Sequence, residues 1–119
     1  MRCGAVLPGG TATEQPELGL LAEQAGWDGV FAWEAAYGPD PWSMLGAMPV
    51  HTSQIRLGTM LIPQYRIAES ADDPAAAVAS VREWANAGCP WWLEIRWTAA
   101  DHMRQRIAAG PPREPVGAQ

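Results

Sequence analysis

Lysine is missing from this chain altogether; its eight basic residues are all arginine. That removes Schiff-base lysine chemistry and the phosphate-gripping lysine of a P-loop. Positive charge is scarce overall, with thirteen acidic residues and a net charge of −5. A nucleic-acid partner calls for a clustered basic face, and none is visible. There are only two cysteines, Cys3 and Cys89, far apart in sequence. No basic segment followed by an apolar run marks a signal peptide, so free thiols in a cytoplasmic setting are expected. No apolar run approaches the ~20 residues that span a bilayer. No G-x-G-x-x-G or G-x-S-x-G occurs, and His51 and His102 lack ligand spacing to each other or to cysteine, so no metal site is expected.

What is present fits one domain over residues 1–119, large enough to hide roughly two-thirds of its unfolded surface. The chain is 48% apolar and carries seven tryptophans against a single phenylalanine. Two stretches share one grammar. AEQAGWDGVFAWE (22–34) and WANAGCPWWLEIRW (84–97) each run from a helix end through Ala-Gly into an apolar strand, a glutamate and a tryptophan. Strands are expected at 2–7, 30–33, 55–62 and 91–95. Helices are expected at 16–25, 42–50, 75–87 and 101–109, with GPPREPVGAQ (110–119) as a frayed tail. Thr11 or Thr13, Asp40 and Asp73 are candidate N-caps, and Gly26 and Gly88 are helix stops. Strict β-α alternation with short connections implies an α/β fold with parallel strands and right-handed crossovers.

MRCGAVLPGG, LLAEQAGWDGVFAWE, DPWSMLGAM and SQIRLGTMLIP, in that order, resemble the N-terminal part of the luciferase-like flavin-dependent oxidoreductases. The resemblance covers residues 1 to about 66. DDPAAAVASVREWANAGCPWWLE and the trailing IAAGPPR are similar to the C-terminal end of the same family. Its members are TIM barrels, which need ~250 residues. The resemblance therefore implies three N-terminal βα units joined directly to the last one, the splice falling near residues 64–72. In a closed barrel the last strand neighbours the first. The expected architecture is an open, parallel, four-stranded half-barrel with spatial strand order 4-1-2-3.

Barrel chemistry sits at the C-terminal ends of strands, which makes Glu34 and Glu94 the candidate catalytic carboxylates; both also read as solvated loop groups. The resemblance implies a flavin, either FMN or the deazaflavin coenzyme. Trp33, Met60 and Trp97 are the candidate cofactor-facing residues, and Met60 also reads as a core methionine and the tryptophans as packing groups. Many relatives carry Asp-His after the second strand, where this chain has Glu34-Ala35. Two readings remain. One is a flavin-dependent oxidoreductase of monooxygenase type acting on a small organic substrate and associating through its open sheet edges. The other is a non-catalytic half-barrel or accessory domain that binds no cofactor.

Overall fold

The computed structural model describes residues 1–7, 11–32, 40–59, 66–96 and 100–113. Its strands are β1 (Arg2–Val6), β2 (Gly29–Ala32), β3 (Arg56–Thr59), β4 (Arg66–Ala68) and β5 (Trp91–Glu94). Its helices are α1 (Glu14–Gln24), α2 (Pro41–Ala47), α3 (Pro74–Asn86) and α4 (Ala100–Ala108), with a 3-10 turn, Met48–Val50, continuing α2.

The helix boundaries follow from local chemistry. Asp40 and Asp73 accept the backbone N–H of Ser43 and Ala76, both at 2.8 Å, and each precedes a proline at the first helical position. A proline there loses no hydrogen bond, because the first N–H groups have no partner within the helix. At α1 the capping is reciprocal: Thr11 Oγ1 accepts from the Glu14 N–H while the Glu14 carboxylate accepts from the Thr11 N–H. Both paired joints end their helices alike. Gly26 and Gly88 take φ of 82° and 85°. Trp27 N donates to Ala22 O and Gly26 N to Glu23 O, and likewise Cys89 N to Trp84 O and Gly88 N to Ala85 O, the double closure of a Schellman stop. Pro49 ends α2 early and leaves the tighter 3-10 turn in place of the full helix expected to residue 50.

All strand pairs are parallel, and the sheet order is β3-β2-β1-β5-β4. The four expected strands stand in the expected order, with the C-terminal one beside the first. The addition is β4, which lies in the stretch read from sequence as a loose connection. Three residues are too few to show a period-two pattern; pairing with β5, Arg66 opposite Trp92 and Ala68 opposite Glu94, makes them a strand. Although β3 and β4 follow one another in the chain, they form opposite edges of the sheet. Four strand spacings of ~4.8 Å separate the edges of a flat sheet by ~19 Å. Residues 60–65, between the two strands in the chain, lie outside the described residues.

The two sheet faces carry different cores. On the helix side, Cys3, Ala5 and Leu7, Val30, and Trp92 pack with Leu18 and Ala22 of α1, Met44, Val81, Met103 and Ile107. On the other face Val6, Leu93 and Ile95 are buried together with Phe31 and Trp91, whose rings meet edge to face at 5.3 Å. Glycine makes that face possible. A Cβ at Gly58 would lie 2.9 Å from the Phe31 ring, and one at Gly4 would strike the same ring and sit 2.8 Å from Leu93 Cδ2. Phe31 thus lies across three strands.

The AGWDG joint is a clasp for the C-terminal end. Trp27 Nε1 donates to Ile107 O at 2.9 Å, and the Arg106 guanidinium lies over the Trp27 ring at 5.5 Å. Asp28 Oδ2 accepts from Cys3 N at 2.7 Å and from Arg113 Nη2 at 2.6 Å. Residues 110–113, expected to fray, are therefore held; Gly110, at φ 79°, packs where a Cβ would stand 3.0 Å from Ala25 O. Residues 114–119 lie outside the described residues.

One carboxylate organises the start of β3. Glu23, in the last turn of α1, accepts from the backbone N–H groups of Ser53, Gln54 and Ile55 at 2.7 to 3.1 Å. These donors, Gln54 foremost, hold the Glu23 carboxyl below its ordinary value of 4.5. A carboxyl depressed on folding contributes stability above its unfolded value and loses it as pH falls through the folded one. Glu23→Gln is therefore expected to lower the urea midpoint at neutral pH and to flatten its decline below pH 4.5. A variant whose acid profile runs parallel to the parent's would remove Glu23 from this role.

Candidate functional site

The C-terminal ends of the parallel strands are the natural place for a site in a barrel-derived sheet. Of the five residues singled out from sequence, Trp33, Glu34, Met60 and Trp97 lie outside the described residues. Glu94 is described, at the end of β5.

Strand alternation sends Glu94 to the helix side of the sheet, the side of Trp92, and its side chain has no solvent exposure. Oε2 accepts from Trp92 Nε1 at 3.0 Å and Oε1 from the Ser70 backbone N–H at 2.9 Å. Two guanidiniums approach Oε1 at 3.7 Å, Arg96 from the segment after β5 and Arg106 from α4. Arg106 in turn donates to Ser70 Oγ at 3.0 Å and to Gly110 O at 2.7 Å. Burial pulls the Arg106 guanidinium below its ordinary value, with the Glu94 charge opposing. Glu94 thus ties β5 to the β4–α3 connection and to α4. It is not among the residues of the face that carries Val6, Phe31 and Leu93.

Sequence reasoning missed this cluster. Glu94 and Arg96 are two apart on an extended segment and so share a face, a signal the sequence does contain. Arg106 and Ser70 reach them only through tertiary packing. The tryptophans divide their work likewise. Trp92 is a buried donor to Glu94; Trp91 packs on Phe31 beneath Arg2, whose guanidinium lies 5.6 Å from the ring; Trp84 is 39% exposed on α3. The two thiols are unpaired. Burial pushes the Cys3 thiol above its ordinary value, against the charge of Arg113, and Cys89 Sγ donates to Trp91 O at 3.2 Å.

A family profile described as Luciferase-like monooxygenase matches residues 2–72, more than half of the chain. The chain belongs to the luciferase-like monooxygenase family. Among curated proteins no match was found. The family match ends at Asp72, yet β5, beyond it, pairs with β1 over four residues, the place the last strand takes in a closed barrel. The family generally uses flavin or deazaflavin. Among the described residues, the face opposite the helices supplies an apolar floor of Val6, Phe31, Leu93 and Ile95. That floor suits the flat side of a ring. At the C-terminal strand ends it carries no described polar side chain to hold a phosphate, since its arginine, Arg2, lies over Trp91 where β1 and β5 begin, and Phe31 already fills the cradle of Gly4 and Gly58. The described residues therefore do not by themselves fit a whole flavin, and no reaction step is assigned through one. Among them, too, no group of three or more His, Cys, Asp or Glu could hold a metal ion, and no helix is long and apolar enough to cross a membrane.

Proposed function

We propose that this luciferase-like half-barrel serves as a flavin-dependent oxidoreductase of monooxygenase type, with FMN or the deazaflavin coenzyme over the C-terminal strand ends and a small organic molecule as substrate. The observation that supports this most is the family match across Arg2–Asp72, which spans β1, β2 and β3 with their connections. A bound flavin would supply the hydride or oxygen chemistry, and the protein would position it. Trp33, Met60 and Trp97 are the residues that would face the ring, and Glu34 would be the acid–base group. Glu94 acts through position only, by fixing β5 and the cluster around it. A second chain, associating through the open edges β3 and β4, supplies the phosphate donors that the apolar floor lacks. The setting is cytoplasmic.

One observation favours a second reading, a cofactor-free scaffold: the only described candidate carboxylate is committed to a buried ion cluster. Flavin titration of the purified chain, followed by quenching of tryptophan fluorescence and by mass in solution, separates the two. Saturable quenching by FMN or deazaflavin, with the mass of a dimer, is the expected result. A folded chain that leaves both flavins unbound would establish the scaffold reading instead.

A further inference from the structure

We infer that residues 110–113 form a strap that opens as a local unit, and that its opening uncovers the thiol of Cys3. The sequence Gly-Pro-Pro-Arg prepares this. Gly110 turns the chain out of α4 at φ 79°, and Pro111 and Pro112 have no N–H with which to join the body of the domain. Gly110 N donates to Ile107 O, but among the described residues the one backbone bond of the next three is internal, Arg113 N to Pro111 O. Side chains supply the tethers instead. Arg106 Nη1 donates to Gly110 O at 2.7 Å, and Arg113 Nη2 to Asp28 Oδ2 at 2.6 Å. Beyond Gly110 the strap is therefore held by the burial of Pro112 and by one ion pair. The side chains of that pair are 41% and 25% exposed, and a pair so open to solvent holds weakly.

Cys3 lies directly under this pair. It is 1% exposed, near the start of β1, and its backbone N–H donates at 2.7 Å to the same Asp28 oxygen that holds Arg113. The Arg113 guanidinium is close enough for its charge to act on the thiol, favouring the thiolate against the opposing effect of burial. Lifting the strap takes that guanidinium away. It also removes Pro111, Pro112 and Arg113 from the wall of the cleft between α3 and α4, which encloses about 630 Å³. The rest of the fold does not need the strap: β1 keeps its pairing with β2 and β5, and Trp27 keeps its bond to Ile107. A segment with so few main-chain bonds to its surroundings belongs at the low end of the range of local opening energies. The consequence is a thiol that is buried in the closed chain and is presented to solvent without global unfolding.

The test is alkylation of Cys3 by iodoacetamide, a neutral reagent, in the Cys89→Ala chain at fixed pH over a series of low urea concentrations. Local opening predicts a labelling rate that barely changes with urea until the global transition begins. Adding Arg113→Gln should raise that rate roughly twofold to fivefold, the worth of one half-exposed ion pair, at an unchanged melting temperature. The sign of the change is diagnostic. Arg113 favours the thiolate, which is the form that reacts, so losing its charge with no change in opening would slow the labelling. Two results would each overturn the proposal. One is parental labelling that climbs with urea from the first addition, at the slope of global unfolding. The other is an Arg113→Gln chain that labels no faster than its parent.

Discussion

Replacing Glu94 with Gln is expected to cost about 3–5 kcal/mol, the range for removing one partner of a buried ion pair. A domain of this size is typically stable by only ~5–15 kcal/mol, so the variant should sit near the edge of folding. The loss does not come from the attraction alone. Arg96 and Arg106 remain, 11% and 13% exposed, without their buried counter-charge. The Trp92 and Ser70 donors also lose a carboxylate acceptor. The diagnostic is the double variant Glu94→Gln/Arg106→Met, which should recover part of the loss because one stranded charge is gone. Urea denaturation reads both. A Glu94→Gln midpoint within ~1 kcal/mol of the parent would show that the cluster does not hold the C-terminal unit in place, and would return Glu94 to the list of groups free for chemistry.

The second large effect is expected at Trp27, which is 4% exposed. Trp27→Ala should destabilise by about 3–5 kcal/mol, the cost of an emptied aromatic site in a core. It also takes away one of the two donors to Ile107 O, the other being Gly110 N, and removes the ring beneath Arg106. Trp27→Phe keeps most of the volume and drops the indole N–H, so it should cost only ~0.5–1.5 kcal/mol, the net worth of one hydrogen bond, because Gly110 N still donates to Ile107 O at 3.0 Å. The ratio of the two separates packing from hydrogen bonding. If Trp27→Phe proved as damaging as Trp27→Ala, the bond to Ile107 would be the whole of the clasp. If both were mild, the C-terminal end would be held chiefly by Asp28 and Arg113, a pair in which the arginine side chain is 41% exposed and so heavily screened.

These two sites explain how a short chain uses pieces of a larger architecture. α1 packs against α4, and β1 pairs with β5. Those contacts join the first and last βα units of a barrel to one another, and they do not require the units between. The Trp27–Ile107 and Asp28–Arg113 bonds cross the same seam. Glu94 then fastens β5 to the β4 side.

Much of this was legible in the sequence, for reasons that are local. Asp40-Pro41 and Asp73-Pro74 announce helix starts because a short carboxylate and a fixed φ act within one turn. Gly26 and Gly88 announce helix stops because only glycine adopts the left-handed conformation without strain. The apolar runs at β1, β2 and β5 are continuous because each is covered on both faces, and strict alternation of such strands with helices gives a parallel sheet. The residue order at the N-terminal end identified the family, and closure of a barrel between its first and last strands predicted that β5 would lie beside β1.

What only the tertiary structure decided is where residues distant in sequence meet. Arg66–Ala68 has no pattern of its own and becomes a strand because β5 offers an unpaired edge. Gly110–Arg113 reads as a loose end, since nothing within it reveals that Asp28, 85 residues earlier, holds its arginine. Glu94 reads as a carboxylate at a strand end, open to solvent and to chemistry. Its burial depends on α4 and the β4–α3 connection being laid over it. A single sequence records propensity, caps and periodicity, because these act over a few residues. It does not record which face of a strand a later helix will cover, and that covering turned a candidate catalytic acid into the anchor of an ion cluster.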